Sequence, residues 1–330
     1  MLITVFTPTY NRAHLLPRVY ESLCKQTIKD FEWVIVDDGS VDDTKSVVEK
    51  LSVMSYELSD AENHDVRTQN LELRTNTIRY FYQENGGKHR AINRGVKEAR
   101  GELFFIVDSD DMLPPDALET VAKAYEGIRD DCSFAGVCGL DGTFEGKVIG
   151  SGLPTEVIDD TSIAVRFKYG VTGDMKEVFR TSVLREFPFP EIDGERFCPE
   201  MLVWNRIATR YKLRYFNRVI YLAEYQADGL TSGIVKVRMK SPVASMMTYA
   251  EMTEYPVPFK VKVKAAINYW RFRCCWQHLN ENDNGTQISQ ISQIINGNRN
   301  YPRLKWWWNW VMPVGVVLHM RDVPCGQLRI

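Results

Sequence analysis

The sequence predicts an open, mostly parallel α/β sheet covered by helices on both faces, followed by a mainly helical C-terminal region. Three observations predict it. Over the first 110 residues, short apolar runs alternate with segments whose apolar residues recur at helical spacing, which is the order of β-α-β crossover units. The clearest apolar run, Phe31 to Val36, is nearly continuous, as a strand buried on both faces requires. Several of these runs stop on clusters of Asp, Asn, Ser, Thr and Gly, at the strand ends where an open α/β sheet binds its ligands.

Leu2 to Phe6 reads as the first strand, ended by Thr7-Pro8. From Arg12 to Gln26 the apolar positions Leu15, Leu16, Val19, Tyr20 and Leu23 follow a helical period. Phe31 to Val36 is the second strand, stopped by Asp37-Asp38-Gly39-Ser40, and a helix over Thr44 to Leu51 follows. The polar stretch from Ser52 to Thr77 reads as a surface excursion. Ile78 to Tyr82 is a third strand, and Ala91, Ile92, Gly95, Val96 and Ala99 mark a helix closed by Gly101. Leu103 to Val107 is a fourth strand, stopped by Asp108-Ser109-Asp110-Asp111. Beyond it the pattern becomes mixed: a helix opened by Pro114-Pro115 and running to Tyr125, strands at Phe134 to Leu140 and Gly146 to Ile149, and a helix from Pro199 to Tyr211. Short strands at Leu213 to Phe216 and Val219 to Tyr225 come next, and helices dominate from Ser241. The expected organisation is a catalytic domain over 1–230, divided into halves at 1–111 and 112–230, with a helical extension over 231–330.

Composition narrows the function. The chain has 330 residues, 44% hydrophobic and 25% charged, an ordinary globular make-up that excludes a disordered or collagen-like protein. A net charge of −2 argues against blanketing a phosphate backbone, so no nucleic acid partner is expected. The seven cysteines form no C-x-x-C pair; this speaks against a structural zinc site or disulfide framework and for a reducing compartment. The N-terminus shows no signal-peptide pattern, and no apolar run reaches the ~20 residues of a spanning helix. A cytoplasmic location is the expectation.

The Asp108-x-Asp110 spacing has a physical use. Residues two apart leaving a strand project to one side, and two carboxylates held together attract a hard divalent cation that bridges to phosphate oxygens. An all-oxygen donor set favours Mg²⁺ or Mn²⁺ over zinc. The rival motifs are missing: Gly86-Gly87-Lys88 lacks the spacing of a phosphate loop, and no G-x-G-x-x-G follows the first strand. There is no G-x-S-x-G elbow and no H-E-x-x-H helix either. His89 is the one histidine beside candidate site residues, where a helix-start role explains it equally well.

Several ordered pieces then carry a resemblance. Val5 to Arg12, Gln26-Thr27, Phe31 to Ser40, Asn85-Gly86-Gly87-Lys88, Asn93-Arg94-Gly95, Ala99-Arg100-Gly101 and Val107 to Asp111 resemble the family 2 glycosyltransferases, inverting enzymes of the GT-A fold. The match is strong over about residues 1–120. The resemblance implies that Thr7, Pro8, Thr9, Tyr10 and Arg12 line a nucleotide-sugar pocket, with Tyr10 against the base and Asp38 accepting from its N–H. It places Asp108, with Ser109, toward ribose and sugar, Asp110 as the principal metal ligand, and Lys88 at the diphosphate or base rim. The donor it implies is UDP-linked, and the acceptor a saccharide or lipid-linked saccharide of surface polysaccharide or glycolipid synthesis.

Inversion by single displacement needs a carboxylate to take the acceptor's proton. The family supplies it from a Glu-Asp at a helix start followed by a Trp-x-Arg ending. Aligning Trp204 and Arg206 puts Glu200 where that Asp sits, with Pro199 in place of the preceding Glu. Glu200 is the expected base, at N2 of a helix begun by Pro199; Asp174 and Glu195 remain open as alternatives. Two other classes stay open as well: a GT-A protein that binds saccharide or nucleotide without turnover, and a nucleotidyltransferase, although the latter usually has a Gly-rich basic signature that Thr7 to Arg12 does not supply.

Residues 306–320 hold Trp306, Trp307, Trp308 and Trp310 with Arg303, Lys305 and Arg321 as flanks. Indoles and basic flanks suit a membrane surface, which predicts a peripheral contact on the inner face of the cell membrane. Burial of these aromatics within the protein is the competing expectation.

Overall fold

A computed structural model of the chain describes residues 1–60, 78–223, 233–281 and 307–322. The chain forms two compact units: Met1–Phe189 with Arg210–Tyr225, and Pro190–Thr209 with Gln226–Ile330. In the first, eight described strands make one sheet in the order β3-β2-β1-β4-β7-β5-β8-β6. β1 (Ile3–Thr9), β2 (Phe31–Asp37), β3 (Ile78–Tyr82) and β4 (Leu103–Ile106) run parallel. β7 (Met175–Arg180) is antiparallel to both β4 and β5 (Phe134–Gly142), so β5 again points the way of β4. β8 (Lys212–Leu222) pairs parallel to β5, and β6 (Val157–Asp160) closes the edge antiparallel to β8. The open, mostly parallel α/β sheet that the sequence predicts is therefore present.

Alternation along the strands sorts the two faces. Ile3, Val5, Phe31, Trp33, Ile35, Leu103, Phe105 and Val107 pack in one core with Leu16, Val19 and Leu23 of α1 (Leu16–Cys24), Val48 and Leu51 of α2 (Thr44–Asp60), and Leu118, Val121 and Tyr125 of α4 (Ala117–Glu126). Opposite lies α3 (Lys88–Glu98), whose Gly95 comes so close to Phe6 that an added Cβ would sit 2.2 Å from the ring; Phe6 in turn stacks on Phe104, centroids 4.9 Å apart. A side chain at Gly95 would overpack this contact. Glu32, buried in β2, is satisfied by the Thr4 hydroxyl (2.6 Å), the Arg100 N–H (2.6 Å) and the Arg79 guanidinium (3.0 Å). Two motif stretches thus hold the sheet together rather than touch a ligand.

Some expectations shift. β1 continues through Pro8 to Thr9, paired with Val36 and Asp37. The helix after Thr44 extends to Asp60, while 61–77 of the expected surface excursion lie outside the described residues. Gly146 to Ile149 is not a strand; Val148 makes only an isolated bridge to Gly142, in a segment with left-handed glycines at 146 and 150. The two short strands expected after Leu213 are one strand with register shifts. α5 (Ser162–Phe167) is capped by Thr161, whose hydroxyl accepts from Ala164 N–H, and α6 (Thr181–Glu186) follows β7.

The second unit is helical: α7 (Glu200–Ala208), α8 (Ile234–Lys240), α9 (Pro242–Met252), α10 (Phe259–Glu281) and α11 (Trp308–Asp322). α11 runs through Pro313. It lies close on α10 because Gly315 leaves no room for a side chain: a Cβ there would be 2.6 Å from Trp270 Cβ. Trp308 is wholly buried and its carbonyl accepts from Trp270 Nε1 (3.0 Å).

Candidate active site

The carboxyl ends of β1, β2, β4, β5 and β8 and the start of β7 share one rim of the sheet, by the strand directions above. On β1, Thr7 Oγ1 accepts from Trp33 Nε1 (2.9 Å), so Thr7 is part of the core. Thr9 is buried and its hydroxyl has no partner. Asn11 takes a left-handed φ of 52°, which Asn tolerates better than most residues. Its N–H donates to Ser40 Oγ and its Oδ1 accepts from Val41 N–H, both at 2.8 Å. The β1–α1 and β2–α2 loops are thereby tied together, leaving Tyr10 48% exposed at their junction.

Asp37 and Asp38 are both buried. Asp37 accepts from Ser40 N–H (2.8 Å) and Tyr80 Oη (2.6 Å). Asp38 holds the β3–α3 loop: Oδ1 accepts from Gln83 Nε2 (2.7 Å) and Gly86 N–H (2.9 Å), and Oδ2 from Gly87 N–H (2.7 Å). Gly39 has φ 86° and would place a Cβ 2.7 Å from Asn85 N. The loop it touches ends at Gly87, and Lys88 opens α3.

Lys88 Nζ reaches Asp108, 2.7 Å from Oδ1 and 2.9 Å from Oδ2. Arg12 pairs with Asp110 Oδ2 at 2.5 Å, and Arg18 donates to the Asp110 carbonyl while lying 4.8 Å over the Phe144 ring. Each acid of the Asp-x-Asp pair is therefore faced by its own cation. Burial alone would raise the Asp108 carboxyl; Lys88, Lys176 and Arg12 more than offset it and hold it down at about 2. Ser109 is buried beside them. For Asp111, burial and the Asp108 charge push the carboxyl up to about 6. It accepts from Tyr221 Oη at 2.5 Å, and Tyr221 Oη accepts from Asp108 N–H at 3.1 Å. Tyr221 thus connects the end of β8 to the β4 turn.

Two further rim residues escape the sequence analysis. Lys176 Nζ sits 3.7 Å over the Tyr221 ring and shares the field of Asp108, Asp111 and Asp141. Asp141, at the end of β5 opposite Tyr221, is 6% exposed, and its Oδ1 has no hydrogen-bond partner among the described residues. Burial pushes its carboxyl up to about 7; Lys176 opposes this, while Asp174, Asp111 and Asp108 add to it. Asp141 was readable as an acid ending a strand, the same signal that marks Asp108. Lys176 was not, because it begins an antiparallel strand whose start falls on this rim only once the sheet is assembled.

An oxygen-only set of two carboxylates, one held ionised, fits Mg²⁺ or Mn²⁺, which take one or two protein carboxylates and complete their shell with phosphate and water. Among the described residues no group of three or more His, Cys, Asp or Glu side chains is arranged to hold a metal ion.

The base candidates differ in what they already do. Pro199 is the N-cap of α7, which puts Glu200 at N1 rather than N2. Glu195 is occupied: its two oxygens accept from Val243 N–H (2.6 Å) and Ala244 N–H (2.9 Å), capping α9. Burial pushes its carboxyl up to about 7 against those two hydrogen bonds. Asp174 is exposed, just before β7. Arg206 of the Trp-x-Arg ending braces α7 on α9 through Glu251, at 2.9 and 2.6 Å.

The mostly parallel sheet with helices on both faces is the GT-A fold. Residues 4–139 match the family model described as Glycosyl transferase family 2, so this part of the chain is a family 2 glycosyltransferase domain. It is 29% identical over 241 residues to a GalNAc(5)-diNAcBac-PP-undecaprenol beta-1,3-glucosyltransferase of Campylobacter jejuni, covering 71% of this chain and 68% of that one. It is 28% identical to glycosyltransferase GlyG of Streptococcus pneumoniae over 67% of this chain and 70% of that one. Among solved structures, S. aureus TarS in complex with UDP-GlcNAc has the same fold, with TM-score 0.57 and 18% identity over 97% of this chain and 89% of that chain. The mannosyltransferase PcManGT of Pyrobaculum calidifontis, in complex with GDP-Man and Mn²⁺, aligns with TM-score 0.52 and 18% identity, over 97% of this chain and 87% of that one.

Proposed function

We propose that the protein is a metal-dependent, inverting glycosyltransferase that moves a sugar from a UDP-linked donor to a saccharide or lipid-linked saccharide. The observation that carries this reading is the rim itself: Asp108 and Asp110, each faced by a cation, at the end of the central strand β4. In support, one relative is named for action on an undecaprenol-linked saccharide, and structures of the same fold were solved with UDP-GlcNAc or with GDP-Man and Mn²⁺.

In the proposed reaction, Asp110, with Asp108 beside it, would hold Mg²⁺ or Mn²⁺, which when bound would offset the charge of the departing nucleoside diphosphate without proton transfer. Arg12 and Lys88 exchange a carboxylate partner for phosphate oxygens as the donor enters. Pro8, Thr9 and Tyr10 with the Asp38 loop form the nucleoside side, with Thr7 backing it from the core and not lining it as the sequence suggests; Asp38 Oδ2 has a second lone pair for a base N–H. Glu200 takes the acceptor hydroxyl's proton as that oxygen attacks the anomeric carbon; this role rests on the sequence alignment, and Asp174 is the alternative. Glu200→Gln is expected to bind donor normally and to lose transfer by about a thousandfold; near-wild-type turnover would remove Glu200 from the reaction.

No described helix is long and apolar enough to cross a membrane. α11 divides its apolar residues: Trp308, Gly315 and His319 are buried, while Trp310 (78% exposed), Val314 and Val317 form a stripe on the other side. We read that stripe as a peripheral contact with the inner surface of the cell membrane, where a lipid-linked acceptor resides. Trp310→Glu should reduce co-sedimentation with anionic liposomes; unchanged binding would discard the contact.

The test of the whole reading is a thermal-shift series with UDP, GDP, UDP-GlcNAc and GDP-Man, each with and without Mn²⁺. A shift that needs both nucleotide and metal is expected. Equal shifts in the presence of a chelator would end the metal-dependent scheme.

A further inference from the structure

Asp141 is the one buried carboxylate at the rim whose geometry the reaction above does not explain. Its residue is 94% buried, complementary to its 6% exposure, and Oδ1 finds no donor among the described residues. Folding alone gives no reason to keep such a group, because an unpartnered buried charge costs stability that Asn or Leu would not. Its surroundings are not apolar either. Lys176, Asp174, Asp111 and Asp108 all act on it electrostatically, which puts its carboxylate among the rim groups and not in the core beneath them. β5 also runs parallel to β4 two places away in the sheet, so Asp141 ends its strand on the same side as Asp108.

We propose that Asp141 is a specificity-determining residue whose Oδ1 accepts a hydrogen bond from a hydroxyl of the donor sugar, with Lys176 holding it in place. This rests on the glycosyltransferase reading and adds to it the part of the donor that this side of the rim recognises. The chemistry suits a sugar hydroxyl. A hydroxyl is a neutral donor that satisfies the empty lone pair without bringing a further negative charge into a cluster of four aspartates. Lys176, over the Tyr221 ring at 3.7 Å, keeps that cluster tolerable and fixes the strand end opposite Tyr221. The expected consequence is a split between two ligands that differ only in the sugar: the nucleotide sugar uses Asp141, the bare diphosphate does not.

The experiment is isothermal titration of wild type, Asp141→Asn and Lys176→Met with UDP, UDP-Glc, UDP-GlcNAc and, as a second base, GDP and GDP-Man, all with Mn²⁺. Asp141→Asn is isosteric, and removal of a buried unpartnered charge should raise its Tm, which certifies the fold independently of binding. The expected result is that the Kd of the best-bound nucleotide sugar rises about tenfold in Asp141→Asn, the scale of one hydrogen bond to a charged group. The matching diphosphate Kd stays within twofold. Lys176→Met should weaken the same nucleotide sugar in the same direction. An unchanged nucleotide-sugar Kd overturns the assignment, as does an equal loss for sugar nucleotide and diphosphate, which would move Asp141 to the phosphate side. Failure of the wild type to bind any nucleoside diphosphate overturns the glycosyltransferase reading instead, and the Asp141 role with it.

Discussion

The two halves of the sheet's rim solve the same electrostatic problem in opposite ways. Along the parallel half, acids and amides are paired within the chain: Asp37 with Tyr80 and Ser40, Asp38 with Gln83, Gly86 and Gly87, Asp108 with Lys88, Asp110 with Arg12. Along the mixed half, Asp141 Oδ1 has no hydrogen-bond partner among the described residues, Asp111 accepts from the Tyr221 hydroxyl, and burial pushes both carboxyls upward. Acids paired in advance hold their loops in shape for one ligand part. A buried acid with an unpartnered oxygen costs stability and gains its missing hydrogen bond only when something binds. Stability and recognition are thus weighted differently on the two sides of β4.

The comparison can be broken by substitution. The largest effect is expected at Asp110: Asp110→Ala should lower kcat by about a thousandfold, the scale of losing a group that offsets transition-state charge, with Tm nearly unchanged. A turnover loss under tenfold would mean that the paired half does not organise the metal. Next comes Asp38→Ala, which leaves Gln83 and the Gly86 and Gly87 amides without an acceptor. Denaturant unfolding should show a loss of about 3 kcal/mol, and a loss below about 1 kcal/mol would show that this loop is not held by Asp38.

A third test sharpens the contrast through pH. Burial pushes the Asp141 carboxyl in the folded state up to about 7, from the ordinary 3.8 of a free aspartate. The folded state therefore holds its proton more tightly than the unfolded state, and wild-type stability should fall as pH rises from about 4 through about 7. Asn does not titrate, so the stability gain of Asp141→Asn should be smallest near pH 4 and grow by a few kcal/mol by pH 8. A gain that is flat with pH would mean that Asp141 is not the buried acid described above. The smallest effect is expected in the second unit. Glu195→Ala uncaps α9 at Val243 and Ala244 and should cost about 1–2 kcal/mol, with kcat unchanged once the protein is folded. A large kcat loss with normal stability would return Glu195 to the list of candidate bases.

Legibility followed locality. α1 and α3 could be read because their apolar period and the following turn chemistry lie within a dozen residues, and β2 because its apolar run is continuous. Glu32, Gly95, Asn93 and Gly101 were readable as motif pieces but not as what they are. Glu32 satisfies Thr4, Arg79 and Arg100 across three elements, and Asn93 clamps the Phe189 backbone through two hydrogen bonds at 2.9 Å. Gly101 lies so near Thr4 that a Cβ would be 2.4 Å from its N. Their spacing in sequence carries none of this. Gly146 to Ile149 looks like a strand through its β-branched Val148 and Ile149, but left-handed φ values at Gly146 and Gly150 bracket it and leave only an isolated bridge.

The sequence by itself determined the parallel sheet, the polar strand ends and the Asp-x-Asp turn, because periodicity and turn chemistry are properties of neighbouring residues. Only the tertiary structure decided which cation faces which acid, that Glu195 caps a helix, that Trp308 is buried while Trp310 is not, and that Lys176 and Asp141 belong to the rim. Those facts depend on strands far apart in the chain lying side by side, and on burial, which turns an ordinary carboxylate into one that needs a partner.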